Sequence, residues 1–418
     1  MAQDLFGFRL VSVCFFPIFF LLMMGFPRPS GAETWNTWGT FGTARGFVGL
    51  GATSAGAVIV VQDSDRFSLT DMVENHAAAP RSLTSPGTRL DLCNSTLMHV
   101  THGHLIICPP YFERVMIEGD EQRSHSLPNV LVPGDAMSRV ATQSSPQGTT
   151  VAASTYRDEL SLWRTDEPTA SFARVAKKAL LHRATGLLSP SVVWWNDAFH
   201  VLVPMIAFPD PKSGHPQHRL DHLVSLDGGR TWHEMTIANA ASTINDLLME
   251  STLIGDENRL WAAYVLDSAL YVQRLDKGQD VWSSPIKLNI CGNVSHLQSA
   301  RIGSRAVLLW ASDCYQESES WSKWPLADIW SPDARRTWLN NDVFLLPLEA
   351  SAEQHIEPTR LTEPLSYTDS LVSLGVDGGG YVARTGRRKV GYELNSFGAP
   401  EEVFWLWIPQ DKVFHSQP

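Results

Sequence analysis

Apolar and polar residues alternate in short runs along this chain, and many of the runs follow a turn built from Gly, Asp or Asn. The pattern reads THGHLIICPP from Thr101, QGTTVAASTY from Gln147 and WNDAFHVLVP from Trp195. It returns as GDENRLWAAYV from Gly255, IGSRAVLLWAS from Ile302 and VDGGGYVART from Val376. A period of two on either side of a tight turn predicts β-hairpins. No long stretch keeps a helical period, so strands carry the fold.

These six recurrences, roughly 46 to 74 residues apart, have the spacing of a blade repeat. They predict an all-β six-bladed β-propeller with four-stranded antiparallel blades, one domain over residues 45–415. In such a ring each sheet is buried between two neighbours, so no blade needs a core of its own. A terminal strand commonly completes the last blade. Gly56 to Gln62 (GAVIVVQ), apolar and β-branched ahead of the first repeat, is the candidate. His76 to Arg89, Phe208 to His218 and Tyr315 to Pro325 read as long surface loops. The last carries Trp321 and Trp324, which suit either a contact surface or packing against a blade.

Composition adds a compartment. Leu10 to Phe26 is a 17-residue apolar run after Arg9, interrupted by Pro17 and followed by Ser30-Gly31-Ala32. That pattern predicts a signal peptide over residues 1–32 and a secreted protein with no membrane span after cleavage; an uncleaved anchor is the alternative. Cleavage removes Asp4, Arg9 and Arg28, leaving 31 basic against 43 acidic side chains and a net charge of −12. Such a surface excludes nucleic acid as a natural partner. Cys93, Cys108, Cys291 and Cys314 then remain, and their spacing favours the disulfides Cys93–Cys108 and Cys291–Cys314. Sequons place glycans on Asn94 and Asn293. The 15 Trp against 8 Tyr imply a repeated structural use of indole.

Residues 225–232 read SLDGGRTW. A carboxylate two residues after a hydroxyl can accept backbone N–H groups within a tight turn, and glycine permits positive φ there. Ser225, Asp227, Gly229, Thr231 and Trp232 resemble in full the Asp-box of the sialidase-like propeller superfamily. A degraded copy, SPDARRTW, keeps Ser331, Asp333, Thr337 and Trp338, with Arg335 in the glycine place. SLWRTDEP from Ser161 and RLDKGQDVW from Arg274 are weaker echoes. In that superfamily the box is a structural turn, so the resemblance implies a fold and not a reaction.

An active member would need three arginines for the substrate carboxylate, a Tyr nucleophile assisted by a Glu, and an Asp acid/base. Tyr367, in SYTDSLVSLGVDGG, resembles the nucleophile segment, with one extra residue between Asp369 and Leu371; Glu250 stands in the place of the Glu. The arginine set is not evident at the family's positions. Arg89, Arg114, Arg219, Arg301 and Arg360 are the substitutes, and activity requires three of them to meet near Tyr367. His99, His102 and His104 lack an accompanying carboxylate, so no metal is expected, nor any cofactor. The expected role is therefore non-catalytic: binding a protein or glycan partner. The architecture is similar to that of the cysteine-rich protective antigen of malaria parasites, which implies adhesion or host-cell invasion by analogy. The alternatives are an active exo-sialidase and a lectin-like module that stacks glycans on Trp.

Overall fold

The computed structural model describes residues 38–44, 48–53, 56–63, 66–84, 96–100, 103–108, 113–118, 121–126, 139–144, 150–156, 158–165, 173–184, 190–207, 217–240, 248–313, 341–351, 358–362, 367–387 and 401–414. Trp38–Pro418 form one compact unit. The described residues build seven antiparallel sheets of four or five strands. Counted outward from the centre, their first strands are Val48–Thr53, Thr96–Val100, Arg139–Ser144, Ser191–Trp195, Leu248–Gly255, Val294–Ile302 and Tyr367–Val376. Each touches the next, and Tyr367–Val376 touches Val48–Thr53. The ring closes as a β-propeller, with these strands innermost.

The ring has seven blades where the repeats predict six. Each of the six recurrences falls where the first strand of blades 2 to 7 gives way to the second, as at Val100/Gly103, Trp195/Ala198 and Val376/Gly379. The seventh is Thr53/Gly56. Gly56–Asp63, expected to close the ring, is instead the second strand of blade 1, paired on one side with Val48–Thr53 and on the other with Arg66–Val73. An unbroken apolar run buried on both faces looks alike in either place, which is why its pattern misleads. Closure by a terminal strand does occur, through Gly39–Ala44, which pairs with Glu401–Pro409 of blade 7. The ring thus begins ahead of residue 45.

Local chemistry explains several turns. Asn196 and Asp197 adopt φ of 50° and 60°, the pair of left-handed residues a two-residue hairpin needs to match strand twist. Blade spacing is limited by glycine. A Cβ on Gly375 would lie 1.5 Å from the Arg301 carbonyl oxygen, so the inner strands of blades 6 and 7 meet only because that side chain is absent.

The core lies between blades rather than within them. Blades 4 and 5 share Trp195, Leu202, Leu220, Leu260, Tyr264 and Trp282. Blades 5 and 6 share Trp261, Val265, Leu308 and Trp310, and blades 7 and 1 share Ile59, Met72, Tyr381, Trp405 and Trp407. Indole is the recurrent filler of these seams. No helix among the described residues is long and apolar enough to cross a membrane. The segment read as a signal peptide, Cys93, Cys314, Asn94, Trp321, Trp324 and the second box at Ser331, Asp333, Thr337 and Trp338 lie outside the described residues. Cys291 is in a disulfide.

The 225–232 turn forms in full between the third and fourth strands of blade 4, Gln217–Ser225 and His233–Ala240. Asp227 Oδ1 accepts the Thr231 and Arg230 amides at 2.9 and 3.0 Å and the Ser225 hydroxyl at 2.9 Å; its Oδ2 accepts the Thr231 hydroxyl at 2.7 Å. Ser225 Oγ in turn accepts the Gly229 amide, and Trp232 Nε1–H donates to the Gly229 carbonyl. Gly228 and Gly229 take φ of 73° and 94°. The Thr231 amide, foremost among these donors, holds the Asp227 carboxyl down at about 2. A depressed acid supports the fold above its ordinary value, and that support fades as pH falls towards about 2. Asp227→Ala is expected to release the Arg230 and Thr231 amides, read as faster hydrogen exchange at those two residues with blades 6 and 7 unaffected.

Candidate functional site

In blades 4 to 7 the inner strands run side by side in one direction. Leu253 and Gly255 lie beside Ser191 and Trp195, Thr252 Oγ1 and Ser299 Oγ share a 2.7 Å hydrogen bond, and Thr368 and Gly375 meet blade 6 at Asn341 and Arg301. Their first residues therefore frame one mouth of the central channel. At this mouth three successive inner strands are bulged: between Leu248 and Ser251, between Ser295 and Gln298, and between Thr368 and Ser370. Bulges bend a strand and re-aim its side chains, and they are common beside functional sites. The mouth over blades 5 to 7 is the candidate site.

Both residues singled out for catalysis belong to it. Tyr367 opens the inner strand of blade 7, in register with Arg387. Glu250 sits in the bulge of blade 5, and its carboxylate reaches into blade 6. One oxygen accepts the His296 amide at 3.0 Å and the other accepts the Leu297 amide. His296 is at φ 54°, so the carboxylate holds the two amides that the neighbouring bulge turns out of its own ladder. Glu250 is thereby a clamp between two blades.

Beside it, Asp313 accepts the Asn293 amide through Oδ1 and the Asn293 side-chain N–H through Oδ2 at 3.0 Å. Asn293 is exposed just ahead of the inner strand of blade 6. Towards blade 7, Thr362 Oγ1 donates to Asp342 Oδ1, and Thr368 Oγ1 donates to the Asn341 carbonyl. Asp313, Asn341, Asp342, Thr362 and Thr368 are thus buried polar residues of this rim.

The arginines expected to gather at Tyr367 are dispersed. Arg219 lies on the third strand of blade 4, where its guanidinium donates to Asp221, Thr236 and His182. Arg301 is beside Gly375, eight residues along the strand from Tyr367. At a rise of about 3.3 Å per residue that is ~26 Å from the mouth. Its Nε–H donates to the Gly303 carbonyl at 3.1 Å, and it faces Glu257 at 3.7 Å. Arg360 lies on the outermost strand of blade 6 and Arg114 on the third strand of blade 2; Arg89 lies outside the described residues. His102 and the side chains of His99 and His104 also lie outside them, and no group of three metal-ligating side chains gathers among the described residues.

One arginine near the mouth is not among the candidates. Arg384, on the second strand of blade 7, is 2% exposed. Its guanidinium lies 4.2 Å from the Phe404 ring centroid and 5.1 Å from that of Trp38, with Nη1 3.5 Å from Thr368 Oγ1. The alternation in YVART carried the signal, since it sets Arg384 on the same face as buried Val382. A cation sandwiched between aromatic rings belongs to the seam beneath the mouth rather than to its opening.

No protein-family model matches the sequence, and no curated protein matches it. Among solved structures, the chain is similar to Trypanosoma rangeli sialidase in complex with sialic acid, at 10% identity and a TM-score of 0.42, over 91% of this chain and 60% of that one. It is similar to phage phi92 endosialidase at 11% identity and a TM-score of 0.42, over 89% of this chain and 69% of that one. A third is Penicillium chrysogenum alpha-L-arabinanase, at 9% identity and a TM-score of 0.39, over 66% of this chain and 94% of that one. Likeness at this level speaks to no activity. The propeller stands on its own strand pairing.

Proposed function

We propose that the chain is a secreted propeller of the sialidase-like, Asp-box kind that binds a protein or glycan partner and does not hydrolyse it. The observation that carries this reading is the engagement of Glu250. Its two carboxylate oxygens already receive the His296 and Leu297 amides. The two amides hold the carboxylate against the backbone of blade 6 as a clamp, whereas a base for a Tyr nucleophile must be placed on the phenol proton. The dispersal of Arg219, Arg301 and Arg360 supports the same conclusion, because a sialic acid carboxylate is held by convergent guanidinium groups. The surface is acidic overall, so such an anion finds no general electrostatic attraction either.

The second reading, an exo-sialidase, is favoured by one observation: Tyr367 and Glu250 share the bulged mouth. Binding without turnover separates the two. The purified protein is presented to a panel of sialylated and unsialylated glycans and to a cell-surface protein library, with release of free sugar followed in the same samples. Saturable capture with no released sugar is the expected result. Release of sialic acid in step with binding would replace this reading with the second.

A further inference from the structure

Two buried histidines at the blade 4–blade 5 seam form a relay that serves neither the mouth nor the 225–232 turn. His200 lies on the second strand of blade 4 and His222 on the third, 5% and 3% exposed. Trp282, from the turn after the third strand of blade 5, lies 3.1 Å from His222 Nδ1 through its Nε1. His222 Nε2 and His200 Nδ1 are 3.0 Å apart, and His200 has a backbone hydrogen bond to Trp195. Indole nitrogen only donates, which fixes the direction of the whole chain. His222 accepts at Nδ1 and so carries its proton on Nε2, which donates to His200 Nδ1. His200 then donates from Nε2 towards Trp195. Every imidazole nitrogen is used once, and none is left to accept a further proton.

We propose that this relay makes the seam between blades 4 and 5 an acid-opened joint: closed while both imidazoles are neutral, and loosened when either is protonated. A proton added at His222 Nδ1 displaces the Trp282 donor. One added at His200 Nδ1 displaces the His222 donor, and protonation of both rings would set two cations 5.2 Å apart, centroid to centroid.

The surroundings give no compensation. His233, from the fourth strand of blade 4, acts on His222 in the same unfavourable sense as His200. From blade 5 the seam is faced by Tyr264, stacked on Tyr271, and by Asp256. The Asp256 backbone carbonyl takes the Trp195 N–H, and its carboxylate is engaged by the Asn258 and Arg259 amides and by Trp261. Asp280, two residues before Trp282, is exposed. Asp221 is paired with Arg219, on the other face of its strand.

Burial is the main cause that pulls His200 down to about 4, against a smaller upward pull from the Trp195 bond; it also pulls His222 well below the usual range. For a base held neutral in the fold, stability is full above its unfolded value of about 6.5 and falls as pH drops from there towards the folded value.

The test is hydrogen exchange on the full chain at about pH 7.5 and about pH 4.5, either side of the ordinary histidine value and corrected for intrinsic rate. The expected result is at least a roughly tenfold loss of protection in Ala198–Ala207, Gln217–Ser225 and Ala269–Asp276 at the lower pH, with blades 6 and 7 little changed. Combined His200→Gln and His222→Gln, which can accept and donate as the imidazoles do but do not titrate, should abolish that loss. An unchanged acid response in this variant would overturn the proposal, as would a wild-type response spread evenly over the ring. If the double variant does not fold, Trp282→Phe decides the matter. It frees His222 Nδ1, so protection should fall at neutral pH and fall less on acidification than in the wild type. An equal further fall would mean Trp282 only packs.

Discussion

A chain lacking Trp38–Ala44 is expected to aggregate, although it keeps the other strands of all seven blades. Gly39, Thr40, Thr43 and Ala44 pair with Trp405, Phe404, Glu402 and Glu401, so this strand is the only cover on the outer edge of Glu401–Pro409 in the described sheet. Phe41 stacks on Trp405 at 6.0 Å between centroids. Trp38 donates from Nε1 to the Leu361 carbonyl of blade 6 at 2.8 Å and covers Arg384. Deletion thus uncovers a strand reading EEVFWLWIP, whose six residues from Val403 to Ile408 are buried. A long, apolar, unpaired edge is a template for pairing with a second chain. Losing two aromatic contacts and several hydrogen bonds costs about 4–7 kcal/mol, a large share of an ordinary domain's stability of about 5–15 kcal/mol. Soluble yield and size-exclusion profile read the outcome. A monomeric, soluble product with wild-type melting would show that the ring does not depend on its terminal strand.

Replacing Glu250 with Ala should cost about 2–4 kcal/mol, because two half-buried amides of blade 6 lose their only acceptor shown here. Glu250→Gln keeps one carbonyl oxygen and should recover roughly half of that loss. Urea midpoints of the three proteins rank the variants. The order matters because it separates a clamp from a base. A catalytic carboxylate would leave stability nearly unchanged in both variants, whereas a clamp makes stability follow the number of acceptor oxygens.

What could be read in the sequence was what is local. The 225–232 turn is built from atoms at most four residues apart, so its hydrogen bonds follow from spacing alone. The inner hairpins of six blades were legible for the same reason. The seventh was not, because Val48–Thr53 (VGLGAT) and the closing strand (GTFGTA) are rich in glycine and carry little strand signal. The site features that escaped are those that join distant strands. Glu250 meets residues 46 and 47 positions away, and His222 and Trp282 are 60 apart. Neither contact leaves a mark in any short window. Arg301 shows the same limit from the other side: it lies on an inner strand, yet at the end far from Tyr367, and only the alignment with Gly375 reveals that.

The measurement that bears most directly on the proposed function is release of the fluorophore from a fluorogenic sialoside by the purified protein, with Tyr367→Phe in parallel, across about pH 4 to 8, where carboxyl and tyrosine chemistry is tuned. The expected result is no turnover above the buffer rate by either protein. Turnover by the wild type that disappears in Tyr367→Phe would contradict it, and would make Tyr367 the nucleophile of a sialidase.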